Sequence, residues 1–325
     1  MGNFTPSLFN AQDVFSAFYP ARIDAFSAEG ARTNYKPAAR DGKKNALIIV
    51  DGQWDFCATP DMGATLSVPG SLDDMSRLIS FIYRNAENLN TIYPSYDTHK
   101  LIMIFFKKWW AYQDNLKEHP GDYTMIGLNP RGEAIDLNQN RRVVPLYDID
   151  WSLKKYLPML KVAGSHNYDL TIWPYHTIEG TEGHNLVPAL AEALAFFSAA
   201  RNSQIQTLVK GTIPQVEHYG IFGPEVEYPG QYGGGLATDI LTAVSRFDLV
   251  YVAGEAKSHC VLSSMRQLVE QFKTQPNVLK KIRFLTDCTS SVQVPGVDFD
   301  GMANTELAEM AKLGVQLVKS TDPVK

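Results

Sequence analysis

Residues 45–51 read Asn-Ala-Leu-Ile-Ile-Val-Asp, so five apolar side chains follow one another without a polar interruption. A continuous apolar run of this length is typical of a strand that is buried on both faces of a parallel sheet. Comparable runs occur at 206–209, 249–253, 282–285 and, more weakly, 315–318. A shorter run at 90–94 ends with Pro94, which predicts the end of a strand or a place at the sheet edge.

Amphipathic patterns separate these runs, at 71–88, 185–200, 236–247, 261–272 and 305–312. In the first of them, Leu72, Met75, Ile79 and Ile82 recur at helical spacing and predict one buried face. The alternation of strands and helices predicts a three-layer α/β/α fold with a central parallel sheet. Ligands of such folds bind beyond the carboxyl ends of the strands, so we expect functional side chains just after a strand.

The predicted domain covers residues 45–325 and is preceded by an N-terminal arm, residues 1–44, whose aromatic side chains are expected to dock on the core. One stretch, 107–172, breaks the alternation, because it contains Trp109, Trp110 and several Pro and Gly residues without a clear period. We interpret it as an insertion. Three roles fit this insertion: a lid over the site, an oligomer contact or a simple surface elaboration.

Composition and charge limit the partners. The net charge is −5, and the longest basic clusters are the pairs Lys107-Lys108 and Arg141-Arg142, which argues against nucleic-acid binding. The apolar run at 101–106 is far too short to cross a membrane, and no secretory signal is visible. Three cysteines do not form a disulfide framework. We therefore expect a cytoplasmic protein without a nucleic-acid or membrane partner.

Three reactive side chains occupy the same topological position. Asp51 follows the first strand directly, Lys210 follows the strand at 206–209, and Cys260 follows the strand at 249–253 after a short loop. Each residue by itself is more often structural, but a thiol, a carboxylate and an ammonium group at one sheet edge suffice for covalent acyl transfer. Cys260 also opens the helix predicted at 261–272, where the helix N-terminus should lower the pKa of the thiol.

A second set of polar residues suits a divalent metal ion. Asp97 and His99 are two residues apart, so in an extended segment their side chains point the same way. His176 could supply a third ligand, since carboxylate and imidazole both bind borderline divalent ions. The alternative is that Asp97 and His99 only hydrogen-bond within a turn.

Five segments of the chain, in order, resemble the motifs of the isochorismatase-like cysteine hydrolases, and among these most of all the nicotinamidases. They are Val50-Asp51-Gly52-Gln53-Trp54-Asp55-Phe56-Cys57, Asp97-x-His99, Trp173-Pro174-Tyr175-His176, Val209-Lys210-Gly211 and Gly254-Glu255-Ala256-Lys257-Ser258-His259-Cys260-Val261. Five ordered matches are far more specific than any one of them. The resemblance covers the chain from about residue 45 to about residue 318, with gaps.

The resemblance implies catalytic roles. Cys260 would be the nucleophile, Asp51 the general base and then acid, and Lys210 the electrostatic partner of both. It also implies a cis peptide bond between Glu255 and Ala256. The backbone N–H groups of Ala256 and Cys260 would then form an oxyanion hole.

The resemblance also implies how metal and substrate are bound. Asp97, His99 and His176 would hold a divalent ion, zinc in the first place, with magnesium, manganese and iron as alternatives. In nicotinamidases this ion holds the pyridine nitrogen of the substrate. Phe56 and Trp173 match positions that enclose the substrate ring, with core packing as the alternative, and Glu255 is assigned to substrate binding with them.

The implied function is hydrolysis of a small primary carboxamide, nicotinamide in the first place, through a thioester. An amidase of ureido, carbamoyl or other small amides is the first alternative, and a non-catalytic binding protein of the same fold is the second. The sequence leaves the oligomeric state undecided, and the resemblance allows a homo-oligomer because family members often form oligomers. Three departures concern the substrate: Thr177 replaces a cysteine common in relatives, the insertion is long, and the N-terminal arm is extra.

Overall fold

The fold is described from a computed structural model, which describes residues 5–161, 169–231, 233–294 and 296–324. Residues 1–4 of the predicted arm and 162–168 of the predicted insertion lie outside the described residues. The strands are β1 (Asn45–Val50), β2 (Thr91–Asp97), β3 (Trp110–Tyr112), β4 (Met125–Leu128), β5 (Ala134–Asp136), β6 (Arg141–Pro145), β7 (Leu170–Thr171), β8 (Leu208–Lys210), β9 (Leu249–Gly254), β10 (Ile282–Leu285) and β11 (Gln316–Val318).

The α-helices are α1 (Ile23–Ala31), α2 (Trp54–Cys57), α3 (Ser71–Asn85), α4 (Ile149–Trp151), α5 (Leu157–Leu160), α6 (Pro188–Arg201), α7 (Thr238–Arg246), α8 (Leu262–Phe272), α9 (Pro276–Leu279) and α10 (Phe299–Leu313). A π-helical turn, Ser152–Tyr156, joins α4 to α5, and a second one, Lys257–Val261, leads into α8. The helix predicted at 305–312 begins six residues earlier than expected. Its N-cap, Asp298, accepts a hydrogen bond from the backbone N–H of Gly301 at 2.8 Å.

The central sheet has the strand order β11-β10-β9-β1-β2-β8, and all of its strands are parallel. Along β1, Leu47 and Ile49 pack on one side with helices α3 and α6, whereas Ile48 and Val50 pack on the other with α7, α8 and α10. Alternate residues of a strand point to opposite faces, so an unbroken apolar run serves both layers. The predicted α/β/α fold class is confirmed.

The prediction for Pro94 was wrong. Strand β2 continues through Pro94 to Asp97 and lies inside the sheet, between β1 and β8. Pro94 aligns with Ile49 of β1, while the ladder with β8 begins only at Ser95. Two residues before Pro94, the Ile92 carbonyl already accepts a hydrogen bond from the Gln206 N–H, so the segment that leads into β8 runs alongside β2 here. Pro94 has no N–H to donate to that segment, and the ladder with β8 starts one residue later, at Ser95.

The predicted insertion contains a second, antiparallel sheet with the strand order β3-β6-β5-β4-β7. Its core includes Trp109 and Trp110, both buried, whose indole N–H groups donate to Ser152 Oγ at 3.0 Å and to the Ile104 carbonyl at 2.6 Å. The periodicity of the sequence did not reveal this sheet, because its strands are only two to five residues long.

The N-terminal arm lies against helix α6. At Gly30 of α1 a side chain is excluded, since a Cβ atom would lie 2.3 Å from the carbonyl oxygen of Phe196. Nearby, Arg22 Nε is 2.7 Å from Oε1 of Glu192, whose side chain is almost fully buried. The three cysteines are free and buried, and no helix among the described residues has the length and apolarity that a membrane span requires.

Candidate active site

Four neighbouring strands deliver polar side chains to one end of the central sheet. In sheet order, Cys260 follows β9, Asp51 follows β1, Asp97 ends β2, and Lys210 ends β8. Parallel strands place these four positions at the same carboxyl edge. The structure thus brings Cys260, Asp51 and Lys210 together, and it adds Asp97 from the predicted metal set.

Lys210 lies at the centre of this cluster. Its Nζ is 3.0 Å from Asp51 Oδ2, 3.0 Å from Asp97 Oδ1 and 3.7 Å from Cys260 Sγ. It also donates to the carbonyl oxygen of His218 at 2.9 Å. One ammonium group therefore contacts both carboxylates and the thiol, and all of these side chains are buried.

The charges of the cluster depend on one another. Burial alone would lower the pKa of Lys210, but Asp51 and Asp97 raise it well above its usual value, so the ammonium stays charged. Burial raises the pKa of Asp51 despite Lys210, which makes this carboxylate a better proton acceptor. For Asp97, His99 and Lys210 outweigh burial and lower the pKa, so this carboxyl remains ionised.

The expectation of a low thiol pKa was wrong. Burial raises the pKa of Cys260 well above its usual value, Lys210 opposes this shift, and Asp51 adds to it. Cys260 is the fourth residue of the π-helical turn and so lies in its first turn, but burial outweighs the effect of the helix N-terminus on the thiol. The resting thiol is consequently protonated, and the site needs a base to activate it.

Two residues that the sequence did not single out orient the carboxylates. Ser95 Oγ donates to Asp51 Oδ1 at 2.5 Å and accepts from the Asp51 backbone N–H at 2.9 Å. This leaves Oδ2 for Lys210. The Gln53 side-chain amide bonds to Asp97, donating to its carbonyl oxygen at 2.9 Å and accepting from its N–H at 2.7 Å. Only the pairing of β1 with β2 brings these residues close.

The predicted metal ligands Asp97, His99 and His176 converge, with candidate ligand atoms all within 4.8 Å of one another. His176 Nδ1 is 2.8 Å from the Pro174 carbonyl and His99 Nδ1 is 3.2 Å from the Gly211 carbonyl, so each Nδ1 donates a hydrogen bond and Nε2 is the ring atom left to face an ion. His99 Nε2 lies 3.0 Å from Asp97 Oδ2. Burial, followed by His99, lowers the pKa of His176 to about 3, which keeps the ring neutral. The three side chains fit a divalent ion.

Second-layer contacts hold these ligands in place. Asp55 accepts a hydrogen bond from the Thr177 backbone N–H at 2.7 Å, next to His176. Gly211 has a φ of +74°, and a Cβ atom there would lie 2.3 Å from Asp97 Oδ1, so a side chain would press on the ligand set. In the sequence, Gly211 is recognisable only as part of the segment Val209-Lys210-Gly211.

The loop before Cys260 has the expected cis peptide bond between Glu255 and Ala256. Ala256 lines the cavity described below, together with Cys260. Glu255 does not lie among the lining residues, since its side chain is fully buried behind the loop and accepts a hydrogen bond from the Ser290 N–H at 3.1 Å. The structure therefore places the Glu255 side chain outside the cavity lining, which does not support its assignment to substrate binding.

A small cavity that opens to solvent begins at Cys260 and Asp97. Phe56 and Trp173 are part of its wall, as are residues that the sequence analysis did not assign. These further lining residues are Leu66, Val68, Glu217, Tyr219, His259 and Val292.

Two of these unassigned residues bring polar groups to the wall. The Trp173 indole N–H donates to the Tyr219 hydroxyl at 3.0 Å. Burial raises the pKa of Glu217 to about 8, with a further contribution from Asp97, so Glu217 is mostly a neutral acid at pH 7. The cavity is thus apolar and aromatic, with a few polar groups at its closed end.

Comparison with known proteins identifies similar structures but no similar sequences. No family model and no curated protein matches the chain. A structure of the yeast nicotinamidase matches with a TM-score of 0.54 and 18% identity, over 84% of this chain and 99% of that one. A second yeast structure, with the inhibitor nicotinaldehyde bound, matches with a TM-score of 0.54 and 17% identity, over 85% and 99%.

The nicotinamidase of Acinetobacter baumanii matches with a TM-score of 0.53 and 19% identity, over 87% of this chain and 99% of that one. All three identities lie below 20%, so the likeness concerns the fold. It confirms the predicted resemblance at that level: the chain has the fold of these nicotinamidases.

Proposed function

We propose that this chain is a cysteine-dependent amidohydrolase that converts nicotinamide, or a closely similar heteroaromatic carboxamide, to the acid and ammonia. The observation that carries the proposal is the position of Lys210, which lies 3.0 Å from both Asp51 and Asp97 and 3.7 Å from the Cys260 sulfur. This contact joins a nucleophile and its base to a set of metal ligands at the end of one cavity.

In the first half-reaction Asp51 takes the proton of the Cys260 thiol, and the thiolate attacks the carbonyl carbon of the amide. The raised pKa of both groups supports this order, since a protonated thiol needs a base and burial makes Asp51 a stronger one. Backbone N–H groups of Ala256 and Cys260 bind the developing oxyanion. Asp51 then gives its proton to the leaving nitrogen, and ammonia departs from a thioester.

In the second half-reaction Asp51 takes a proton from water, and the resulting hydroxide attacks the thioester carbonyl. The carbon–sulfur bond breaks, the acid leaves, and the proton on Asp51 returns to the Cys260 sulfur. Lys210 remains charged throughout and offsets the negative charge that moves between Asp51 and the sulfur. Water is the only co-reactant, so atoms and charges balance.

Asp97, His99 and His176 would hold a divalent ion, for which we propose zinc. When bound, this ion would supply a Lewis acid that holds the ring nitrogen of the substrate. The aromatic side chains Phe56 and Trp173 are suited to contact the faces of a flat ring. In this arrangement the ring nitrogen of the substrate would face the metal ligands while its carboxamide lies at Cys260. One cavity would therefore need both sets of residues.

The test is ammonia release from nicotinamide, pyrazinamide and a series of ureido amides, with and without a chelator. We expect turnover of the two ring amides and its loss on chelation. Hydrolysis of ureido amides alone, in metal-free protein, would favour the alternative substrate class. No ammonia from any amide, in protein shown to contain metal, would refute the proposed function.

Paired cysteine variants separate the covalent mechanism from effects on folding. We expect Cys260→Ala to abolish turnover while its thermal unfolding stays close to that of the wild type. Cys288→Ala is the matched control, because Cys288 is also buried but does not line the cavity. Equal activity of the two variants would exclude Cys260 as the nucleophile.

A further inference from the structure

Two acidic side chains meet behind the loop that carries Cys260. Glu255 of the loop and Asp74 of α3 are 0% and 2% exposed, and their carboxyl groups are within hydrogen-bonding reach of each other. Ser290 lies between them: its N–H donates to Glu255 Oε2 at 3.1 Å, and its hydroxyl donates to Asp74 Oδ2 at 2.5 Å. Neither acid lines the catalytic cavity.

Among the residues that the structure describes, only one of the two acids forms an ion pair. Arg77 Nη2 lies 2.6 Å from Asp74 Oδ1. Lys257, whose charge also acts on Glu255, has its Nζ 2.7 Å from Asp300 Oδ1 and is thereby paired. Glu255 Oε1 is buried without a hydrogen-bond partner among the described residues. A second buried negative charge beside Asp74 would be strongly unfavourable.

We infer that Glu255 is held as a neutral carboxylic acid whose Oε1–H donates a hydrogen bond to Asp74, and that this bond positions the nucleophile loop on helix α3. The proton satisfies the unpartnered oxygen and removes the second charge at once. Burial and then Asp74 act in the same direction, since they raise the pKa of Glu255 well above its usual value. This inference rests on the proposed function only for its kinetic test.

The hydrogen bond between Glu255 and Asp74 acts on catalysis through the backbone of the loop that carries Cys260. Glu255 is followed by Ala256, whose N–H is assigned to the oxyanion hole, and the Lys257 N–H donates to the Ser290 carbonyl at 2.7 Å. The loop is therefore tied to Ser290 by both backbone and side chain, and to α3 through Asp74. Glu255 is a positioning residue, since it does not contact the cavity.

Several other titratable groups surround the pair of Glu255 and Asp74. Asp74 faces Glu255 from α3, where Arg77 pairs with Asp74, and Cys57 faces Glu255 from α2. Lys257 faces it from the loop. Cys288 and Asp287 lie beside Asp74 and Arg77 from the segment after β10. Of these, only Arg77 and Lys257 are cations, and each has a carboxylate partner.

Three variants and two measurements test the inference. Glu255→Gln keeps a neutral donor and an acceptor in place, whereas Glu255→Leu keeps only the size. We expect Glu255→Gln to retain most of kcat, and Glu255→Leu to lose about tenfold or more at little change in KM, as expected for a displaced oxyanion donor. Ser290→Ala should fall between them.

The second measurement does not depend on activity. Because the folded state keeps a proton that the unfolded chain releases above about pH 4.3, wild-type stability should fall as pH rises from there toward the folded pKa. The unfolding constant of the wild type relative to Glu255→Gln should therefore grow by up to about tenfold per pH unit in this range.

The inference fails if this ratio is independent of pH, if Glu255→Leu is as active as the wild type, or if Glu255→Gln is as impaired as Glu255→Leu. These outcomes are distinct from failure of the proposed function. If the proposed function fails, the wild type itself releases no ammonia, and the pH dependence of unfolding still decides whether Glu255 is protonated.

Discussion

Lys210 forms an ion pair with Asp51, at 3.0 Å, in a place where both side chains are almost completely buried. The same ammonium lies 3.0 Å from Asp97 Oδ1, so it links the proposed base to a proposed metal ligand. Two carboxylates around one cation leave a net negative charge in a closed site. Burial is the main reason why the pKa values of the Cys260 thiol and of Asp51 are raised, and the negative charge of the neighbouring carboxylates adds to both shifts.

Replacing Lys210 by Met should be costly for both stability and activity. It leaves Asp51 and Asp97 buried without their cation, which typically lowers the free energy of unfolding by about 3–5 kcal/mol. We expect turnover to be lost as well. Urea unfolding and an ammonia assay measure the two effects. The control is Lys273→Met, whose ion pair with Glu270 is exposed and should matter little; equal loss in both variants would contradict the prediction.

Asp51→Asn should make Cys260 more reactive toward an alkylating agent while abolishing turnover. Asp51 raises the pKa of the thiol, so its neutralisation leaves Lys210 to favour the thiolate. The measurement is the rate of Cys260 modification by iodoacetamide at pH 7, followed by mass spectrometry. The exposed Asp24→Asn variant serves as the control. Slower modification in Asp51→Asn than in the wild type would show that Asp51 does not set the thiol pKa.

Gly211→Ala should weaken metal binding. The new Cβ would approach Asp97 Oδ1 to 2.3 Å and the His99 ring to 2.7 Å, and φ at this position is +74°. We expect a lower zinc content after dialysis and a higher KM for ring amides. Gly42→Ala is the matched control, because nothing lies within 4 Å of a Cβ atom there. Unchanged metal content in Gly211→Ala would refute the prediction.

His218 should make the protein sensitive to acid. Burial, followed by Lys210, lowers the pKa of His218 to about 3, whereas the unfolded chain binds this proton below about pH 6.5. Its contribution to stability is therefore complete above pH 6.5 and is lost as pH falls toward 3, at up to about 1.4 kcal/mol per pH unit. Urea midpoints between pH 7.5 and 4.5 should fall less steeply in His218→Asn than in the wild type. Parallel curves would contradict this.

The position of the site could be predicted from the sequence because it depends on local features. A buried parallel strand reads as an apolar run, and a polar side chain directly after it must lie at the carboxyl edge. Asp51 and Lys210 are recognisable in this way. Helix boundaries were less accurate, since the caps that end a helix involve single residues such as Asp298.

Other features depended on contacts between distant residues. Ser95 became relevant only when β2 paired with β1, and the short strands of the inserted sheet are held by a shared aromatic core rather than by their own pattern. The burial of Glu255 against Asp74 could not be read from either residue, because they are 181 positions apart (255 − 74).

The sequence by itself therefore determined the sheet, its layers and the edge at which the reactive side chains collect, because the period of apolar residues dictates which faces are buried. Only the tertiary structure decided the protonation of those side chains. Burial and the sum of neighbouring charges set a pKa, and both arise when separate strands and loops close around Cys260. For that reason the helix start near Cys260 suggested a thiolate, whereas the folded cavity holds a thiol beside its base.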